Sequence, residues 1–174
     1  MKHESIRVQG FLEVMRRDVA TGRVLSAWER KNVITYAGLE SINKLQAPNA
    51  ALGTNVQREN QIRSMRFGTV NTLPQRTDTS LLSEGMVDGV PVRIELNDAR
   101  RIVGAAGAVE YVATLAAGIG NGLVYREAGL FTRGTEDDPV LTQGAIMFSR
   151  QVFPDQPKNA SVELEFRWRI TYTV

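Results

Sequence analysis

Few side chains in this sequence are equipped for chemistry. His3 is the only histidine and there is no cysteine, which removes most acid–base relays, all thiol chemistry, disulfides and nearly every metal site built on His or Cys. Serine and threonine hydroxyls have no base to activate them except His3, and no Gly-x-Ser-x-Gly elbow occurs. Carboxylates gather at Glu136-Asp137-Asp138, at Asp78 near Glu84, and at Glu163 with Glu165. A glycosidase needs two carboxylates about 5 to 10 Å apart across a cleft, one of them in an apolar setting. The 136–138 triplet reads instead as a solvated turn without a calcium-loop pattern, and Glu163 and Glu165 are followed by Arg167 and Arg169. Gly118-Ile119-Gly120-Asn121-Gly122 lacks the strand–loop–helix setting of a dinucleotide loop, because strand-like sequence follows it. The sequence therefore predicts no catalytic, metal-binding or cofactor-binding residue, no cofactor, and a protein that is not an enzyme.

Arginine is the abundant functional group. The twenty-one basic residues divide into four lysines (Lys2, Lys31, Lys44 and Lys158) and seventeen arginines. The planar guanidinium fork suits paired carboxylates and interfaces better than an ammonium does. Arg126, Arg150, Arg167 and Arg169, with Glu163 and Glu165, are the groups expected at an interface. Net charge is only +2 and the signs are interspersed. The densest basic pairs, Arg16-Arg17 and Arg100-Arg101, make no stripe, so no nucleic-acid partner is expected. The aromatics Trp28, Trp168, Tyr111, Tyr125 and Tyr172 would suit sugar stacking if exposed. Trp168 and Tyr172 fall on an apolar strand face, so packing is favoured and a glycan partner has no other support.

These groups must be positioned by strands. Ile6, Val8, Gly10, Leu12 and Val14 alternate with polar residues, and Val24, Ser26 and Trp28 do so after an Asp18–Gly22 turn, which predicts a hairpin. Leu39, Ile42 and Leu45 recur at threes behind Thr35, a good N-cap, and predict the one helix, with Gly38 inside it at a close backbone approach. Strands are expected at 61–67, 90–96, 109–116, 123–132 and 140–153, with Pro91 at an edge or a strand start. Val162, Leu164, Phe166, Trp168, Ile170 and Tyr172 alternate strictly with charged or hydroxyl residues, giving a long central strand with one dry and one wet face. Gln46–Asn60 and Val70–Ser80 have no period. They are expected as long loops ordered by a partner. A length of 174 residues fits a single domain, residues 1–174, burying roughly 70% of its unfolded surface. The fold class expected is mainly β: an antiparallel β-sandwich with one short α-helix and long loops. Its core is expected to include Val8, Leu12, Val92, Ile94, Leu164, Phe166, Trp168 and Ile170. The N-terminus lacks the apolar run of a signal peptide, and no stretch reaches the roughly 18 to 20 apolar residues of a membrane span. Synthesis in the cytoplasm and no membrane partner are expected.

The order of certain segments resembles a known group. Lys31-Asn32-Val33-Ile34 leads into Gly38-Leu39 and a helix. Met65-Arg66-Phe67-Gly68-Thr69, Thr77-Asp78-Thr79-Ser80-Leu81 and Arg126-Glu127-Ala128-Gly129-Leu130-Phe131 follow. Phe148-Ser149-Arg150-Gln151-Val152-Phe153 and Leu164–Thr171 close the series. Over most of the chain, roughly residues 31 to 172, this order is similar to small virion structural proteins of tailed bacteriophages, found near tail, collar and fibre components. The resemblance implies a part of the phage particle, made in the host cytoplasm and located in the virion, whose partners are copies of itself and other virion proteins. Alternatives are a capsid decoration protein and a carbohydrate-binding β-sandwich module for attachment to a host surface. The resemblance brings no catalytic residues.

Overall fold

The computed structural model describes residues 7–46, 56–96, 99–101, 107–134 and 144–173. Alternation in the first segment builds the expected hairpin, β1 (Arg7–Asp18) and β2 (Val24–Ile34). Its turn is closed by Asp18, whose Oδ1 accepts from the Thr21 amide at 2.8 Å and the Thr21 hydroxyl at 2.7 Å, while Gly22 takes φ 68°. Those hydrogen bonds, the hydroxyl's first, hold the Asp18 carboxyl below its ordinary pKa.

Helix α1 (Tyr36–Gln46) follows. Thr35 caps it: its Oγ1 accepts from the Gly38 amide at 2.9 Å and donates to the Met147 carbonyl at 2.6 Å. One side chain thus starts the helix and ties it to a strand more than a hundred residues away. A Cβ on Gly38 would lie 2.1 Å from the Phe148 carbonyl oxygen, so only glycine allows this approach. A further helical segment covers 56–60, within the expected 46–60 loop; residues 47–55 lie outside the described ones.

The remaining strands are β3 (Ile62–Gly68), β4 (Met86–Val87), β5 (Val90–Pro91), β6 (Arg93–Glu95), β7 (Ala99–Arg101), β8 (Ala108–Leu115), β9 (Val124–Thr132), β10 (Met147–Pro157) and β11 (Val162–Thr173). The strand expected over 90–96 is broken at Val92, and Pro91 sits in the small β4–β5 ribbon. The strand expected from Val140 begins at Met147, with residues 140–143 outside the described ones. The turn expected at 134–139 also lies outside them beyond Gly134.

Mainly antiparallel β is what the chain adopts, but not as two separate sheets. Nine strands form one antiparallel sheet in the order β6-β3-β9-β10-β2-β1-β11-β8-β7. The architecture is not clearly a sandwich, and the reason lies in β2. It pairs with β1 over most of its length, and at its far end Val33 and Ile34 pair with Arg150 and Ser149 of β10. Hydrogen bonding therefore runs through without a break, and the sheet curls into a nearly closed, barrel-like form.

The interior is filled from both halves of this sheet. Leu12, Leu164, Phe166, Trp168 and Ile170 come from one half, Met65, Phe67, Leu130 and Phe148 from the other, all essentially inaccessible to solvent. Val92 is buried as expected, whereas Val8 and Ile94 are half-buried and pack against the cluster. Strand β11 alternates as its sequence demands, with Val162 to Ile170 buried at every second position.

Candidate functional site

Strands β9 and β10 do not alternate. Met147 to Phe153 are all buried, and so are Glu127 to Thr132. Both faces are covered because the 69–85 loop lies over the outer one, where Leu81 packs against Phe131 and Met147. Two charges are trapped underneath. Arg150 and Glu127 both have fully buried side chains; Arg150 Nε donates to Glu127 Oε2 at 2.7 Å and its Nη2 lies 2.6 Å from the same oxygen. The other edge of the guanidinium reaches the loop: Nη1 donates to Asp78 Oδ2 at 2.9 Å and Nη2 to the Thr72 carbonyl at 3.0 Å. Glu127 completes the clamp by accepting from the Ser83 amide through Oε1 at 3.0 Å. Gly68 is required beside it, since a Cβ there would lie 2.4 Å from Glu127 Oε1.

A second arginine grips the same loop from the neighbouring position on β9. Arg126 makes a two-pronged pair with Asp155, 2.8 Å on each arm, and donates to the Thr69 carbonyl at 3.1 Å. This hydrogen-bonded pair holds the Asp155 carboxyl below its ordinary value. The Thr69, Asp78, Glu127 and Arg150 neighbourhoods, scattered along the sequence, thus meet in one place. The Val70–Ser80 loop, expected to be ordered by a partner, is ordered by its own chain.

The expected interface groups divide accordingly. Arg150 is corrected: it is sealed inside and committed to Glu127 and Asp78. Arg126, Arg167 and Arg169 keep 32%, 42% and 51% of their side chains exposed. Arg167 pairs with Glu165 at 2.7 Å and Arg169 with Glu110 at 3.4 Å, while Glu163 lies opposite Arg17 in the β1–β11 register. Asp78 and Glu127 were not read from the sequence as a site. The available signal was a charge close to apolar residues in each of two strands, Glu127 before Ala128-Gly129-Leu130-Phe131 and Arg150 in Phe148-Ser149-Arg150-Gln151-Val152-Phe153.

The glycine-rich 118–122 loop carries the chain from β8 across to β9, and its contacts hold it as a fixed connection. Lys158 Nζ donates to Asn121 Oδ1 at 2.7 Å and to the Asn159 carbonyl at 2.9 Å, and burial draws this ammonium's pKa down. The Tyr125 hydroxyl, inside the core, donates to the Gly120 carbonyl at 2.8 Å. Burial pushes the Tyr125 phenol up to about 12 and raises Tyr111 and Tyr172 as well. A phenol whose folded pKa exceeds its unfolded value of about 10 contributes stability that is whole below that pH. This stability is lost as the pH climbs through the folded value. Urea midpoints are therefore expected to hold up to about pH 10 and fall steeply above it, with Tyr125→Phe making the fall shallower. An unchanged slope in that variant would contradict the burial of this hydroxyl.

One long strand edge is open. β2 meets β10 only at Val33 and Ile34, so among the described residues Val24 to Asn32 have no strand on their second side. Beyond those two pairs the strands touch through side chains, Trp28 against Phe153, ring centroids 6.1 Å apart. Val24 and Leu25 are 43% and 38% exposed, and Ala27, Glu29, Arg30 and Lys31 are also exposed.

Fold and clamp together define a class: a barrel-like antiparallel β domain whose longest described loop is fastened to the sheet by buried arginine–carboxylate pairs. No family model, curated protein or solved structure matches this chain.

Proposed function

We propose that this chain is a structural, non-enzymatic component of a tailed-bacteriophage particle, in the tail, collar or fibre-attachment region, and that it acts through subunit–subunit contacts. The segment order from Lys31 to Thr171 suggests the class of particle. The observation that carries the mode of action is the free edge of β2. A strand edge with exposed apolar side chains is a template for pairing with another chain, and proteins that do not use such an edge shorten it, cover it or place charges along it. Here the charges Glu29, Arg30 and Lys31 stand on the half away from Val24 and Leu25. The edge here is long and leaves Val24 and Leu25 exposed. The sugar-binding alternative loses support because Trp168 and Tyr125 are buried in the core and Trp28 leans on Phe153.

The test is incorporation. Leu25→Lys with Ala27→Lys places two charges along the open edge at positions that are exposed in the single chain, so stability of the isolated protein should change little. Quantitative mass spectrometry of purified particles is expected to find the wild-type chain at a fixed copy number and the double variant depleted. Absence of the wild-type chain from particles would end the proposal. Undiminished incorporation of the variant would remove the β2 edge from it.

A further inference from the structure

One cleft on the described surface is lined by three cations and no carboxylate. It has a volume of about 480 Å³ and lies where β1 begins, β2 ends and the 69–85 loop passes α1. Arg7, Lys31 and Arg76 line it, all exposed, with Gln9 and Asn32 beside them and Leu39 among its apolar walls. No carboxylate lines it, and none among the described residues pairs with any of the three cations. Elsewhere this chain pairs its arginines freely, as Arg17, Arg126, Arg150, Arg167 and Arg169 show. Three like charges left together around a concave surface repel one another, a cost that a bound anion would relieve.

The cations are held by fixed backbone. The Arg76 carbonyl accepts from the Tyr36 amide at 2.8 Å, and two residues on Asp78 is bound to Arg150. Arg7 and Lys31 stand on the paired strands of the hairpin. We infer that this cleft is a docking site for a carboxylate-rich segment of a protein partner. The charges come from three separate elements around a space large for a single oxyanion, which suits several carboxylates along a chain. Apolar walls beside Gln9 and Asn32 suit the aliphatic stems and backbone amides of such a segment. The inference rests on the cleft alone and is independent of the virion reading.

The probe is a fluorescein-labelled hexaglutamate peptide, followed by anisotropy with the whole chain at low ionic strength. Saturable binding is expected, weakening as salt is raised. Arg7→Ala, Lys31→Ala and Arg76→Ala are each expected to reduce affinity about two- to fivefold, and the triple variant about tenfold or more. Arg76→Lys should retain most of it, and Arg23→Ala, at the far turn of the hairpin, should leave it unchanged. Unaltered thermal unfolding of the triple variant separates lost binding from lost structure. The inference is overturned if the peptide does not saturate, or if the triple variant binds it as the wild type does. It is overturned equally if inorganic phosphate at matched charge displaces the peptide as well as free hexaglutamate does, which would mark a site for free phosphate.

Discussion

Glu127→Ala is expected to destabilise the protein by about 3 to 5 kcal/mol, measured as a shift in urea midpoint at constant slope. The magnitude follows from what remains behind. Arg150 has no solvent exposure, so removing its buried partner leaves Asp78 as the guanidinium's sole counter-charge and takes the acceptor from Nε inside the protein, where no water replaces it. The Ser83 amide loses its acceptor as well. Asp78→Ala should cost less, about 1.5 to 3 kcal/mol, because the Asp78 end of the clamp is 15% exposed and water can reach the vacated position. The instructive comparison is Arg150→Met with Glu127→Met and Asp78→Asn. Removing all the charges together leaves none buried without a partner, so the triple variant should be more stable than Glu127→Ala alone. Amide exchange supplies the local readout: Thr69, Ser83 and Gly85, which hydrogen-bond Ser83, Glu127 and Phe67, should lose protection in Glu127→Ala before the core of β11 does. A cost below about 1 kcal/mol would mean that the clamp is not what holds the loop.

What the sequence made legible was local. The hairpin turn, the Thr35 cap and the alternation of β11 each depend on residues a few positions apart, and each is found in the structure. The close approach at Gly38 was legible as a glycine inside a helix, but its partner, Phe148, was not. The clamp joins residues 23 and 72 positions apart, and no periodicity reports such a pairing. Arg150 is expected at an interface because the guanidinium fork suits paired carboxylates and interfaces, and the carboxylates it pairs with lie within its own chain. It does not face water because a loop covers the outer face of β9 and β10, and a strand buried on both faces loses the period-two signal. The same limit hid the continuity of the sheet, which turns on two residue pairs between β2 and β10. The segments that carried the resemblance to phage virion proteins were legible only as an order. In the structure the Thr77–Leu81, Arg126–Phe131 and Phe148–Phe153 segments meet at the clamp.

Phe166→Ala is expected to have the other large effect, about 3 to 5 kcal/mol. Phe166 is the middle ring of a chain that crosses the barrel: Trp28 on β2, Phe153 on β10, Phe166 on β11, Phe67 on β3 and Tyr125 on β9. Successive centroids lie 6.1, 5.7, 4.6 and 6.0 Å apart. The four pairs are tilted or edge-on, as ring quadrupoles prefer. These rings come from five different strands of the one sheet, so the contact that closes the curl passes through Phe166. Truncation there leaves a cavity bounded by β-sheet backbone that cannot collapse easily, which places the cost toward the upper part of the range. Phe166→Leu keeps most of the volume and forfeits the ring contacts, so it should cost about 1 to 2 kcal/mol. A double-mutant cycle between Phe67 and Phe166 should show a coupling of about 0.5 to 1.5 kcal/mol, the value for a close aromatic pair. Chemical denaturation of the four proteins gives all of these numbers. A Phe166→Ala protein within about 1 kcal/mol of the wild type would show that the two halves of the sheet close without this ring, and the barrel-like packing would have to be redrawn.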